Sequence, residues 1–284
     1  MQNTNNNASL SRKLTKQSNS NFYYSFFFLS SEKRKALYSI YAMCRSLDDV
    51  VDKAPSKVEA SGNLLKWTLE IINMYKGNPS HPITMDLKPY IDKYSIPDKY
   101  FFELIKGVEM DLTKNRYNTF DELHKYCYRV ASVVGLICAE VFGYKNATTL
   151  GYAVDLGIAM QITNILRDIK TDASNGRIYL PLEDLKKFGY TEEELLSSSY
   201  NEKFIELMKY EIDRARSYYK RASETLPKED RKAVIAAEVM RAIYSNLLKR
   251  IEDANYDVYS VQAQLSKPKK LFIAVTTWAK NRFG

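Results

Sequence analysis

From Phe22 to the C-terminus, apolar residues return at steps of three and four, and no run alternates strictly over more than a few positions. That rhythm belongs to the α-helix, in which side chains share a face about every 3.6 residues, and it gives no role to a sheet. It predicts helices over about 32–51, 64–74, 97–110, 120–142, 148–169, 192–196, 200–225, 228–253 and 269–283, parted by breakers such as Lys76-Gly77-Asn78-Pro79. Ser30 and Ser31 offer an N-cap for the first of these, and Ala54-Pro55 stops it. The segment 172–181, with Asn175-Gly176 and Pro181, reads as the clearest loop. Only 10 Gly and 8 Pro among 284 residues agree with a chain that makes few tight turns. The expectation is an all-α, single-domain helical bundle over 21–284. A disordered tail over 1–20, rich in Asn, Ser, Lys and Gln, precedes it.

The formal net charge is +8, which points to an anionic partner. The Lys and Arg residues are spread along the chain without a recognition motif, and this sets nucleic acid aside. No stretch of about 18 apolar residues is present to span a membrane, and 1–20 lacks the apolar core of a secretory signal. Cys44, Cys127 and Cys138 are too scattered for a disulfide framework or metal knuckle, so a reduced, cytoplasmic setting is expected. No feature points to a protein partner.

Two polar stripes stand out. Tyr41, Arg45, Asp48 and Asp52 are spaced four, three and four, which places them on one helix face. Carboxylates one turn apart suit a hard cation, and Mg²⁺ binds through one or two carboxylates plus substrate phosphate. Arg45 on the same stripe can fork onto a phosphate. The second stripe is Gly157, Gln161, Asn164, Asp168 and Asp172, set among Ile158, Met160, Ile162, Ile165, Leu166 and Ile169. Polar groups on such a helix cost several kcal/mol, in order of magnitude, unless they find partners. A solvated patch or a polar seam between helices explains one stripe; it explains two poorly. Opposed across a cavity, the stripes would hold Mg²⁺ around a diphosphate and promote its departure. A dry pocket would then shield a carbocation, with Phe22, Tyr23, Tyr24, Phe26, Phe27 and Phe28 on one side and Val133, Val134, Gly135 and Leu136 on the other. Ordinary core packing is the plainer account of the aromatic run.

These residues resemble the squalene/phytoene synthase family. Asp48-Asp49-Val-Val-Asp52 after Tyr41-Ala-Met-Cys-Arg45 is similar to its first acidic motif. Asn164-Ile-Leu-Arg167-Asp168, followed by Gly176-Arg177-Ile-Tyr179-Leu-Pro181, is similar to its second motif and the loop after it. Tyr126-Cys-Tyr128-Arg-Val-Ala-Ser-Val-Val-Gly135 resembles the segment between them, and Met110-Asp-Leu and Arg241-Ala-Ile-Tyr244 extend the likeness over nearly all of the chain after the tail. Thr171 stands where the family often has Glu, and Asn21 where it often has Ser.

The resemblance implies a helical isoprenoid-synthase fold around a central cavity. It also implies head-to-head joining of two prenyl diphosphates through a cyclopropylcarbinyl diphosphate. It casts Asp48, Asp52, Asn164, Asp168 and Asp172 as Mg²⁺ ligands. Tyr41, Arg45, Gln161, Arg167, Arg177, Tyr179 and Tyr244 become the residues that hold diphosphate, and Tyr128 sits by the reacting carbons. Asp48, Asp52, Asp168, Arg45 and Tyr128 form the catalytic set. No glycine-rich nucleotide turn follows a strand, so NADPH is not indicated, although the resemblance leaves it open because some reductive members lack such a domain.

For the substrate, the runs Ala153–Gln161 and Arg177–Leu185 look closer to enzymes that make presqualene diphosphate from farnesyl diphosphate, with squalene or dehydrosqualene as the further products of that C15 route. The alternative is phytoene synthesis from geranylgeranyl diphosphate. A class I terpene cyclase, a chain-elongating synthase and a non-enzymatic membrane-surface adaptor are the competing readings. Finally, Lys267, Lys269, Lys270, Lys280 and Arg282 accompany Leu271, Phe272, Val275, Trp278 and Phe283 near the C-terminus. Leu271, Val275 and Trp278 are expected on one helix face, suited either to the inner surface of a membrane or to packing on the body.

Overall fold

The computed structural model describes residues 21–283; the tail expected over 1–20 lies outside them. Helix α1 (Asn21–Ser25) leads through a 3₁₀ turn (Phe26–Phe28) into α2 (Ser31–Asp52). Then come α3 (Lys57–Tyr75), α4 (Pro82–Tyr94), α5 (Asp98–Thr113) and α6 (Phe120–Cys127). A π turn (Tyr128–Ser132) joins α6 to α7 (Val133–Phe142), and α8 (Thr148–Ser174) follows. The chain ends with α9 (Leu182–Lys187), α10 (Glu192–Leu196), α11 (Glu202–Thr225), α12 (Ile235–Asp253) and α13 (Lys267–Phe283). The described residues contain no strand, only an isolated bridge between Arg116 and Ile178. The all-α expectation holds.

The long helix α8 is the organising element, packed by α11, α7, α12 and the π turn. Its Ile158, Ala159, Ile162 and Leu166 are fully buried. Each large aliphatic side chain buried this way contributes about 1.5–3 kcal/mol. The first predicted helix appears nearly as read, with the Ser30 hydroxyl accepting from the Lys33 N–H at its start.

Several predicted segments differ. The helix expected over 120–142 is interrupted by the π turn, and Gly157 explains how that turn is accommodated. A Cβ on Gly157 would lie 2.4 Å from the Ser132 Cα, so only glycine lets the turn approach α8 this closely. The Ser132 hydroxyl donates to the Val154 carbonyl across the same contact at 2.7 Å. Helix α4 falls where the apolar rhythm predicts none; Pro82 opens it, where a missing N–H costs nothing, and Pro89 lies within it. The short α9 was missed too. Helix α8 runs past 169 to Ser174, so Asp172 is helical, and the chain turns only at Gly176, where φ is 71°. The helix expected over 228–253 divides into a 3₁₀ turn (Lys228–Asp230) and α12. There the Asp230 carboxylate is drawn to the Lys145 and Asn146 N–H groups and the Thr149 hydroxyl, which fasten this turn to the start of α8.

Helix α13 buries Ile273 and Ala274 against the body, packing on α12 and α1. Trp278 turns inward and stacks on Phe28 (centroids 5.4 Å apart, planes 14° apart), so it does not share an outward face with Leu271 and Val275. The exposed apolar side chains are Leu271, Phe272, Val275 and Phe283. No described helix is long and apolar enough to cross a membrane.

Candidate active site

Helices α2 and α8 bring their polar stripes to one cavity of about 880 Å³, towards the upper end of the range for small-molecule sites. Tyr41, Arg45 and Asp48 line it from α2, Gln161, Asn164, Arg167 and Asp168 from α8, and Tyr244 from α12. Along both helices the lining changes character in the same sense. Leu37 and Ile40 precede the polar residues of α2, and Ala153 and Leu156 precede those of α8. The cavity therefore has a polar end and an apolar end.

Of the expected aromatic wall, Phe22 and Phe26 line the cavity; Tyr23 and Tyr24 do not, and Phe27 is exposed. Opposite, Val134 and Gly135 line it, whereas Val133 and Leu136 belong to the core. The π turn contributes Val130 and Ala131. Tyr128 is not a lining residue; it opens the π turn, partly buried against the core.

Asp52 and Asp172 sit one turn beyond the lining residues Asp48 and Asp168, and Arg177 and Tyr179 are not lining residues either. Arg177 approaches Asp52 at 3.9 Å. The Tyr179 hydroxyl donates to Asp111 Oδ1 at 2.8 Å and the Tyr126 hydroxyl to Asp111 Oδ2 at 3.1 Å. The rings of Tyr117, Tyr126 and Tyr179 pack together beneath them. The loop that carries Arg177 and Tyr179 is pinned by the Ile178 N–H to the Asn115 carbonyl (3.0 Å) and the Leu182 N–H to the Tyr117 carbonyl (2.9 Å). Asp111 acts electrostatically on Asp48 and Asp172 alike, although it belongs to neither stripe. The only signal was its position in the Met110-Asp-Leu triplet.

Burial, reinforced by Asp52, Asp111 and Asp49 against the pull of Arg45, pushes the Asp48 carboxyl up to about 7. Burial likewise raises Asp172 to about 7, with Asp168 and Asp111 adding and Arg177 and Arg167 opposing. Asp111 is raised by burial despite its tyrosine hydrogen bonds and Arg177. Such a crowd of carboxylates is fully charged only beside added positive charge. Part of that charge is built in: Arg167 forks onto Asp168 (Nε to Oδ1 2.8 Å, Nη2 to Oδ2 2.5 Å), and Arg45 pairs with Asp49 at 2.7 Å.

The buried Asn164 Oδ1 has no hydrogen-bond partner, which adds an orphaned oxygen to this set. All the candidate ligands are hard oxygens, as a divalent cation such as Mg²⁺ prefers. Among the described residues, no three acidic, His or Cys side chains converge closely enough to enclose an ion by themselves. An ion here would complete its shell with ligand oxygens, the mode in which Mg²⁺ couples carboxylates to phosphate. The residues fit a metal that arrives with a diphosphate.

The chain is similar to known proteins over most of its length. The squalene/phytoene synthase family model matches residues 15–269. A 15-cis-phytoene synthase from Synechocystis sp. is 34% identical, over 95% of this chain and 83% of its own length. A phytoene synthase from Arthrospira platensis is 37% identical, over 92% of this chain and 89% of its own. Among solved structures, a dehydrosqualene synthase in complex with ligand superposes with a TM-score of 0.88 at 25% identity, covering 98% of both chains. The squalene synthase HpnC from Alicyclobacillus acidocaldarius gives 0.81 at 25% identity, covering 89% of this chain and 96% of that one.

Proposed function

The chain belongs to the squalene/phytoene synthase family and is a prenyltransferase of that type; from that premise we propose that it joins two geranylgeranyl diphosphate molecules head to head into phytoene. The observation that carries the reaction class is the cavity itself, polar where α2 and α8 present their carboxylates and apolar beyond. The relatives named phytoene synthase, 33–37% identical, favour the C20 substrate over the farnesyl diphosphate to which the sequence leaned. The C15 reading keeps one support, the likeness to dehydrosqualene and squalene synthase structures at 25% identity.

In this reading Asp48, Asp52, Asn164, Asp168 and Asp172 hold divalent ions with the diphosphate. Bound there, such ions would supply the positive charge that lets a diphosphate leave from its allylic carbon. Arg45, Arg167, Tyr41, Gln161 and Tyr244 bind and orient the diphosphates. Arg177 and Tyr179, set back from the lining, position the acidic groups through Asp52 and Asp111. The apolar walls of Phe22, Phe26, Val134, Leu156 and Met240 exclude water, which would quench a carbocation. Tyr128 is the proposed neighbour of the reacting carbons, at the start of the π turn that supplies Val130 and Ala131 to the lining. Phytoene formation balances by proton loss after the second ionisation, so this route calls for no hydride donor such as NADPH.

The enzyme also docks on anionic membranes through α13. Exposed Leu271, Phe272, Val275 and Phe283 lie among exposed Lys267, Lys269, Lys280 and Arg282, a combination suited to an acidic lipid surface.

The substrate reading is tested by offering equal farnesyl and geranylgeranyl diphosphate with Mg²⁺ and identifying the hydrocarbons. Phytoene as the main product is expected. Presqualene diphosphate, squalene or dehydrosqualene as the main product would return the assignment to C15.

A further inference from the structure

Three cationic side chains among the described residues line the cavity: Arg45, Arg167 and Lys270. The first two are already engaged, Arg45 with Asp49 and Arg167 with Asp168. Lys270 comes from the first turn of α13, far in sequence from either acidic stripe, and among the described residues it pairs with no carboxylate. Its Nζ lies over the face of Tyr24, 5.8 Å from the ring centroid. Its surroundings oppose its charge: burial, then the positive charges of Arg167 and Lys267, hold its pKa below the usual lysine value. A half-buried ammonium set beside a guanidinium, with no anion of its own, is unfavourable in isolation. An anionic ligand bound between the two cations would relieve both.

We propose that Lys270 grips the diphosphate of a bound prenyl substrate, forming with Arg167 and Tyr244 an anion-binding flank of the cavity. The inference rests on the head-to-head reading above, and the chemistry of that reaction gives it a purpose. Two diphosphates occupy one cavity before the first bond forms, and the carboxylates can receive a diphosphate only through metal ions. A flank built of cations and a phenol receives the other directly, with the ammonium and guanidinium donating to phosphate oxygens. Lys270 thus serves the substrate, while the opposite face of the same helix carries the exposed apolar residues.

The test uses the full-length chain and its Lys270→Gln and Lys270→Arg variants. Calorimetric titration with inorganic diphosphate and Mg²⁺ is combined with steady-state kinetics on the prenyl diphosphate. Lys270→Gln is expected to weaken diphosphate binding and raise KM by about tenfold or more, the scale of a lost charged hydrogen bond. Lys270→Arg should recover most of both, and all three proteins should unfold at similar temperatures. Unchanged diphosphate affinity and KM in Lys270→Gln would overturn the proposal. So would a loss in Lys270→Arg as large as in Lys270→Gln together with a fall in unfolding temperature, because Lys270 would then be structural. Weakened liposome binding with unchanged KM would assign it to lipid headgroups instead, which also overturns it. If the unsubstituted protein neither binds diphosphate nor consumes a prenyl diphosphate, the head-to-head reading itself fails.

Discussion

Replacing Gly157 with Ala perturbs the contact that sets the cavity wall. The added Cβ would stand 2.4 Å from the Ser132 Cα, 2.6 Å from the Ser132 nitrogen and 2.9 Å from the Ala131 carbonyl carbon. Ordinary contact begins at 3.4 Å, so α8 and the π turn must separate by about 1 Å. The obstacle is backbone rather than the end of a flexible side chain, which places the cost at the upper end of overpacking, about 3 kcal/mol. The displaced turn carries Val130 and Ala131, both cavity-lining, and a misplacement of about 1 Å can lower turnover by about 10²-fold. Urea unfolding and steady-state turnover of Gly157→Ala measure the two effects. Gly62, on α3, is the control, since nothing lies within 4 Å of the Cβ it would gain. Gly62→Ala should raise stability by up to about 1 kcal/mol and leave turnover alone. A Gly157→Ala protein with ordinary stability and turnover would refute the reasoning about this contact.

Asp48→Ala or Asp168→Ala should each lower kcat by about 10²–10³-fold and weaken binding of Mg²⁺ diphosphate, and near-normal turnover of a folded variant would remove that residue from the metal site. Glu70 supplies a pH dependence: burial opposes its charge, but the His81 N–H, the Ser80 hydroxyl and N–H and the Thr84 hydroxyl outweigh this and hold its carboxyl down from 4.5 to about 2. The folded pKa is the lower one, so its contribution, about 3 kcal/mol, is present above pH 4.5 and lost as pH falls to 2. Glu70→Gln should therefore be less stable by that order at pH 7 and level with the parent near pH 2, as read by urea unfolding at each pH. Full-length protein should co-sediment with anionic liposomes and be released by salt, and Phe272→Ser with Val275→Ser should abolish this; unchanged binding would show that α13 is not the anchor.

The helical class and both acidic stripes were legible because each is a local pattern on a single helix. Tyr41, Arg45, Asp48, Gln161, Asn164, Arg167, Asp168 and Tyr244 reach the cavity as their spacing and the resemblance implied. Features that depend on what approaches from elsewhere were not legible. Asp111 belongs to neither acidic stripe, and only the fold sets it between the two and under two tyrosine hydroxyls. The π turn arises from a close approach to Gly157 that no periodicity records. Lys270 read as one basic residue among several until α13 placed it against the cavity, and Trp278 read on one face with Leu271 and Val275, for membrane or body alike, until Phe28 took its ring. Helix α4 was hidden because proline signals a stop or a start with equal force.

Head-to-head joining makes a bond between the two carbons that carried diphosphate, and an isotope label tests this directly. Geranylgeranyl diphosphate bearing ¹³C only at the diphosphate-bearing carbon is supplied with Mg²⁺, and the hydrocarbon is examined by NMR. The account predicts a product of twice the substrate's carbon count whose two labels give one olefinic resonance, from the two equivalent central carbons, with their attached protons forming an AA′XX′ pattern. Labels at inequivalent carbons, or a cyclised product from a single substrate molecule, would contradict it.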